Sequence, residues 1–93
     1  MTKKAEKITN AYRERLYFNG RYFIDFKQGE SDCKYKNVHD ALLPIYDDYL
    51  KFIAEANICE LISNEEYMEL FNNRGKLFDG VLASLQEYHL AKK

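Results

Sequence analysis

A capping signal followed by a long helical pattern of apolar residues constrains this chain more than any other feature. In Ser63-Asn64-Glu65-Glu66, the Ser63 side chain can cap the backbone N–H of Glu66 while the Glu66 carboxylate reaches back to that of Ser63. Apolar residues then recur at helical spacing: Tyr67, Leu70, Phe71, Leu77, Phe78, Val81, Leu82, Leu85 and Tyr88. We predict one helix over residues 64–91. Asn72-Asn73-Arg74-Gly75 could break it, but the unbroken phase of the stripe argues against a full break.

A second amphipathic helix comes before this one. Asn37 and Asp40 are good N-caps, and Pro44 must lie in or near the first turn, because further inside it would cost a hydrogen bond and a clash. The apolar face consists of Val38, Leu42, Leu43, Tyr46, Tyr49, Leu50, Ile53 and Ala56. This spacing predicts a helix that starts near Asn37 or Asp40.

The end of the middle helix is predicted from its last residues. We expect the helix to stop at Ala56, with Asn57 in the left-handed C′ position and Ile58 folded back onto Ile53. Only residues 58–62 then connect it to the last helix. A connection this short between long helices implies an antiparallel hairpin.

The N-terminal third supports two interpretations. Ala5, Ile8, Tyr12, Leu16, Phe23 and Phe26 fit one face of a helix. Against this, Asn19-Gly20 is the strongest short signal for a β-hairpin turn. In that hairpin Glu14 would face Asp25, and a lone two-stranded ribbon is rarely stable. We favour the helix, with residues 28–36 as the connecting loop.

These elements predict an all-α fold in a single domain, residues 1–93. It is a three-helix bundle in which the first helix lies across an antiparallel C-terminal helical hairpin. The alternative is an α+β fold with a small N-terminal β-hairpin at Asn19-Gly20. A chain of 93 residues buries only about 60–65% of its unfolded surface, so a dimer would be a natural way to gain burial.

Charge and cysteine usage suggest the environment of the protein. The net charge is −1, but residues 1–36 hold nine Lys/Arg against five Asp/Glu, whereas residues 37–93 hold five against ten. Cys33 and Cys59 are isolated, without CxxC spacing. Since neither a membrane-spanning run nor a signal peptide is recognisable, we expect a reduced, cytoplasmic protein without membrane association.

The acidic residues offer one candidate metal site. Glu66 and Glu69 share a helical face, and such pairs bind Mg²⁺ in helical nucleotide pyrophosphatases. That chemistry needs a second acidic pair on the facing helix, and only Asp47-Asp48 could stand in. We interpret these acids as solvated residues that favour the helix dipole, and we predict neither a metal nor another cofactor.

Other reactive side chains lack the companions that catalysis requires. His39 beside Asp40 has no nucleophile, and His89 favours a helix C-terminus electrostatically. Cys33 lies near two lysines that would lower a thiol pKa, but a nucleophile also needs a base and an oxyanion site. We therefore predict a protein that is not an enzyme.

Arg74 interrupts an apolar stripe, because it lies between Phe71 and Phe78. A charge there must pair, extend to solvent or meet a ligand. We favour an Arg74 side chain whose aliphatic part covers apolar surface while its guanidinium reaches solvent, or an ion pair with Asp47 or Asp48. Arg74 also remains a candidate contact to an anion or a partner.

The most specific functional signal is the mixture of aromatic residues and arginines between Tyr12 and Phe23. If this segment is helical, Tyr12, Leu16 and Phe23 face the core, and several large side chains remain on another face. Such exposed patches usually mark interfaces, in which Tyr and Arg are enriched. The candidate partner-binding residues are Arg13, Tyr17, Phe18, Arg21, Tyr22 and Arg74.

Three functional hypotheses follow. The first is a non-enzymatic protein-binding module, a regulator or inhibitor that occupies a surface of a larger macromolecular partner or pairs with itself as a homodimer. The Lys-, Asn-, Tyr- and Glu-rich composition is compatible with a bacteriophage or mobile-element origin. The second is nucleic-acid binding through the basic aromatic N-terminal face, which a pI of about 6.1 disfavours. The third is a small metal-dependent enzyme of the helical pyrophosphatase kind, using Glu66, Glu69, Asp47 or Arg74.

Overall fold

The computed structural model describes residues 2–92 and is helical through most of that range. The elements are α1 (Lys3–Tyr22), a π-helical turn (Phe23–Lys27) that continues it, α2 (Val38–Ile58), α3 (Asn64–Asn72) and α4 (Arg74–Ala91). No strand occurs within residues 2–92, and Asn19-Gly20 lies inside α1. The predicted all-α fold is confirmed, and the β-hairpin alternative is wrong.

The first two helices run antiparallel. The Tyr12 ring lies 5.8 Å from that of Phe52, and Arg15, one turn later, forms an ion pair with Asp48, one turn earlier in α2. The N–O distance of this ion pair is 3.2 Å. Contacts therefore move backwards along α2 as the chain moves forwards along α1.

The second helix is also antiparallel to the α3–α4 unit, as the predicted hairpin requires. The buried Tyr49 hydroxyl donates to the Leu70 carbonyl oxygen at 3.1 Å, and the Tyr46 ring lies 4.8 Å from that of Phe78. Burial raises the pKa of Tyr49 to about 12, so its hydroxyl stays protonated and keeps this bond. The core contains residues from all four helices: Ala5, Leu16, Leu42, Tyr49, Ile53, Ala56, Ile62, Leu70, Leu77, Phe78, Val81 and Leu85.

The predicted capping box at the start of α3 is confirmed. The Ser63 hydroxyl accepts from the Glu66 N–H at 3.1 Å, and the Glu66 carboxylate accepts from the Ser63 N–H at 2.9 Å. The second Glu66 oxygen accepts from the Thr2 hydroxyl at 2.7 Å, and Thr2 also caps α1. These bonds lower the pKa of Glu66, and the bond from the Ser63 N–H has the largest effect. They also tie the starts of α1 and α3 together.

The end of α2 differs from the prediction. The helix continues to Ile58, and the left-handed residue is Glu60, with φ of 62°, rather than Asn57. The Asn57 side chain donates to the Asn64 side-chain oxygen at 2.9 Å, which holds Asn57 in the last helical turn. Bonds from the Glu60 and Leu61 N–H groups to α2 carbonyls complete a Schellman motif. Ile58 does not fold back onto Ile53 but is 79% exposed.

The predicted single helix over residues 64–91 is wrong, since it is interrupted at Asn73. The Asn73 side chain donates to the Glu69 carbonyl oxygen at 2.8 Å, beside the helical bond from the Asn73 N–H at 3.1 Å, while the φ and ψ of Asn73 are −94° and 4°. Because only one residue is non-helical, the apolar stripe stays nearly in phase. Beyond the break, α4 packs far more extensively against α1 than against α2.

Gly20 explains how α1 and α4 pack so closely. It is buried, and a Cβ built on it would lie 2.2 Å from Leu85 Cδ1. The glycine is thus needed for a close approach of two helices rather than for a turn. No helix within residues 2–92 has both the length and the apolar character needed to cross a membrane.

Candidate functional site

Three aromatic side chains project from successive turns at the C-terminal end of α1 and in the π turn that continues it. Phe18, Tyr22 and Phe26 are 59%, 55% and 61% exposed. The rings of Tyr22 and Phe26 lie 5.2 Å apart, so these two side chains cover each other only in part. We call Phe18, Tyr22 and Phe26 the aromatic stripe.

A groove of about 410 Å³ lies beside the aromatic stripe, between α1 and α4. Its lining residues are Arg13, Glu14, Tyr17, Phe18, Gly80, Val81 and Ser84. The α4 side of this α1–α4 groove carries small side chains, and a Cβ on Gly80 would meet no atom within 4 Å. Phe18 belongs to both features, so the stripe and the groove form one continuous surface.

Four of the six predicted partner-binding residues lie on this surface. Arg13, Tyr17 and Phe18 line the groove, and Tyr22 is part of the stripe. Phe26 was missed, because we assigned it to the core-facing side of the first helix. The π turn contains one more residue per turn than an α-helix, and it turns Phe26 outwards. Its spacing of four residues from Tyr22 was the signal that could have identified it.

Arg21 is held within the chain. Its guanidinium carbon lies 4.6 Å from the centre of the Tyr88 ring and 5.8 Å from that of Tyr17. A hydrogen bond with the Tyr88 hydroxyl raises the pKa of Arg21. Arg21 therefore joins α1 to α4 more than it extends the exposed surface.

Asp25 anchors the π turn to the end of α4. Its carboxylate pairs with the Lys92 ammonium and accepts from the Tyr88 hydroxyl at 2.9 Å. The hydrogen bond from Lys92, followed by that from Tyr88, lowers the pKa of Asp25. Since Phe26 is the next residue, this anchor also fixes the end of the aromatic stripe.

Arg74 does not line the groove. Its guanidinium lies 3.8 Å from the centre of the Phe71 ring and donates to the Phe71 carbonyl at 2.6 Å, so it satisfies the end of α3. Asp48, one of the two partners that we considered for Arg74, pairs with Arg15.

The side chains considered for catalysis are dispersed. His39 lies 3.2 Å from Asp40 and packs edge-on against Phe78, and the Cys33 thiol donates to the Tyr35 carbonyl. Both oxygens of Glu66 accept the hydrogen bonds described above. Within residues 2–92 no group of three His, Cys, Asp or Glu side chains is placed to hold a metal ion.

Comparison of the chain with protein-family models, with curated proteins and with solved structures finds no match. Function must therefore be inferred from the aromatic stripe and the α1–α4 groove themselves.

Proposed function

We propose that this protein is a non-enzymatic, cytoplasmic protein-binding module, a regulator or inhibitor that acts by occupying a surface of a larger macromolecular partner. The observation that carries the proposal is the exposure of Phe18, Tyr22 and Phe26 along α1 and the π turn, next to an open groove. Contiguous exposed aromatic residues on a small chain are typical of protein interfaces.

The size of the surface indicates how it binds. A Phe or Tyr side chain buries about 150–250 Å², so three that are more than half exposed offer about 350 Å². Covering that area contributes about 9 kcal/mol at about 25 cal/mol per Å². Association costs about 4–15 kcal/mol, so the stripe alone gives marginal binding. A tight partner must also fill the groove and contact Arg13 and Tyr17.

Nucleic-acid binding is less well supported by the same surface. Phosphate recognition needs cations that are free to approach the backbone. Arg15 is paired with Asp48, and Arg21 is held by Tyr88. Of the arginines between Tyr12 and Phe23, Arg13 alone lines the groove, where Glu14 lies beside it. An anionic ligand would meet this carboxylate.

Affinity capture with matched variants tests the proposal. Immobilised wild type, Phe18→Glu and Ile58→Glu are incubated with nuclease-treated lysate of the source cell. Ile58 is the control because it is an exposed apolar residue at the α2–α3 turn, remote in the fold from the groove. We expect one protein to be retained by the wild type and the control, but not by Phe18→Glu.

Salt and purified components complete this experiment. Binding of the retained protein, measured with purified components, should change little between low and moderate salt, because apolar burial drives it. If the chain instead retains nucleic acid from a lysate that has not been treated with nuclease, and this retention falls steeply with salt, the second hypothesis is right. If Phe18→Glu retains the same proteins as the wild type, the proposed surface is wrong.

A further inference from the structure

The α1–α4 groove lies between two parallel helices. Gly20 of α1 meets Leu85 of α4, and Asp25, further along the chain from α1, pairs with Lys92, further along α4. Both walls of the groove are thus helices, whose backbone N–H and C=O groups bond to one another and are not free for an occupant. An extended peptide would leave its own backbone groups unpaired against these walls, whereas a helix satisfies its backbone internally. The walls of the groove therefore favour a helical occupant.

The shape of the groove suits an occupant with a large apolar side chain. Phe18 stands on the α1 side, and the small residues Gly80 and Ser84 leave the α4 side low. A Cβ on Gly80 would meet no atom within 4 Å, so the space above this glycine is open. A groove of about 410 Å³ can receive a few side chains that project from a helix lying along it.

Unpaired charges lie along the same two helix faces. On α1, Lys7 precedes the groove residue Glu14 by seven positions, which is two helical turns. On α4, Lys76 precedes Glu87 by eleven positions, with Gly80 between them on the same face. These four charged side chains are exposed, and within residues 2–92 none of them forms an ion pair. Because α1 and α4 are parallel, both lysines lie towards one end of the groove, and each glutamate follows about 11–17 Å further along its helix.

The two arginines beside the groove fit this distribution of charge. Arg13 donates from Nη1 to the Asn10 side-chain oxygen at 2.8 Å, so its guanidinium extends towards the end of the groove where the lysines lie. Arg21 lies nearer the other end, but its guanidinium is held over the Tyr88 ring. An occupant therefore meets positive charge at one end of the groove and free carboxylates further along.

We propose that the partner occupies the α1–α4 groove with an amphipathic α-helix. This helix carries a large apolar side chain over Gly80, basic residues opposite Glu14 and Glu87, and an acidic residue towards the end marked by Lys7 and Lys76. The assignment rests on the proposed function, because it specifies which part of the partner binds the same surface. The eleven positions from Lys76 to Glu87 require a helix of at least about three turns. An isolated helix of that length is marginal in water, so a free segment becomes helical on binding.

Selection from a library of displayed random peptides, each of about 20 residues, tests the inference without the natural partner. The immobilised wild-type chain selects binders, and Gly80→Met, whose side chain fills the groove, removes peptides that bind elsewhere. We expect the groove-dependent peptides to have apolar residues at helical spacing, with basic and acidic residues about 7–11 positions apart. A synthetic copy of such a peptide should gain helical signal in circular dichroism when the wild-type chain is added.

Charge exchange on one selected peptide tests the contact with Glu14. Glu14→Lys should weaken its binding about fivefold, and replacing the facing basic residue of the peptide by Glu should restore the affinity. Glu55→Lys is the matched control, because it reverses an exposed carboxylate of α2 that does not line the groove, and it should bind like the wild type. Circular dichroism melts show whether the three variants are folded, and since all three positions are exposed, we expect them to be.

The outcomes separate this inference from the proposed function. It is overturned if no peptide distinguishes the wild type from Gly80→Met, if the groove-dependent peptides are extended or proline-rich, or if Glu14→Lys binds them as well as Glu55→Lys does. A protein captured through Phe18 that presents no such helix also overturns it and leaves the proposed function standing. Helical, charge-dependent peptides with no protein captured from the lysate support it, while the proposed function fails.

Discussion

Replacing Gly20 by alanine tests the close approach of α1 and α4. The added methyl group would lie 2.2 Å from Leu85 Cδ1, 2.9 Å from Cδ2 and 3.1 Å from Cγ. Leu85 is completely buried, so its side chain cannot swing into solvent. Since the branch point Cγ is also too close, relief requires a movement of the whole side chain or of the helices.

Two opposing contributions determine the size of the effect. Gly→Ala within a helix stabilises by about 1 kcal/mol through helix propensity. Inserting a methyl group into a packed core costs about 1–3 kcal/mol, and the three short contacts favour the upper part of this range. We expect Gly20→Ala to destabilise the protein by a net 1–2 kcal/mol, which lowers the melting temperature by about 5–15 °C.

A double-mutant cycle with Leu85→Ala separates the two contributions. Leu85→Ala alone should cost about 2–5 kcal/mol, and it removes the atoms that clash. In that background Gly20→Ala should stabilise by about 1 kcal/mol, so the sign of its effect reverses. Urea denaturation of the four proteins, followed by circular dichroism, measures the coupling. If Gly20→Ala has the same effect in both backgrounds, the clash with Leu85 is not the reason for the glycine.

Three further predictions concern other local features. Gly80→Ala should stabilise by about 1 kcal/mol in urea denaturation, because a Cβ there would meet no atom within 4 Å. Glu60→Gly should stabilise by a net value of about 0.5–1 kcal/mol in the same assay. Glycine adopts the left-handed φ of 62° without strain, and this gain exceeds the cost of its greater freedom in the unfolded chain. Asp25 and Glu66 have lowered pKa values in the folded state, so their contribution is present above the usual carboxyl range and is lost as the pH falls below about 4. Asp25→Asn should therefore flatten the acid side of a plot of stability against pH, and an unchanged slope would contradict the assignment.

The features that sequence analysis predicted correctly depend on residues close together in the chain. The capping box needs only Ser63 and Glu66, three residues apart, and its hydrogen bonds form as expected. The start of α2 at Asn37 is equally local, because the side chain of this residue accepts from the Asp40 N–H. The all-α fold follows from the helical spacing of apolar residues within each helix.

The errors occurred where distant residues, or a competing side chain, decide the conformation. The helix that we favoured at Asn19-Gly20 is confirmed, but the hairpin remained an alternative because the reason for the glycine, Leu85, lies in another helix. At Asn73 the apolar stripe gave no sign of a break, since one non-helical residue hardly shifts its phase. Phe26 was assigned to the core because a π turn cannot be recognised from spacing calculated for an α-helix.

The candidate surface was predictable only in part for the same reason. Phe18 and Tyr22 could be identified from the sequence by elimination, since they do not fit the apolar face of the first helix that packs on the core. The groove could not be predicted, because it exists only where α4 lies alongside α1. That placement depends on contacts between residues far apart in the chain, such as Gly20 and Leu85.

Gly20 and Gly80 have opposite relations to the contact between α1 and α4. Gly20 lies against Leu85 and lets the two helices approach, so its unfavourable helix propensity is offset by packing. Gly80 has no such compensation within the chain, because nothing lies within 4 Å of its missing Cβ. What it does provide is an open recess next to Phe18. A residue that weakens its own helix without improving its packing is expected at functional positions. Under the proposed function, Gly80→Met should therefore leave the fold intact and still abolish binding, because its side chain would fill the groove that the partner enters.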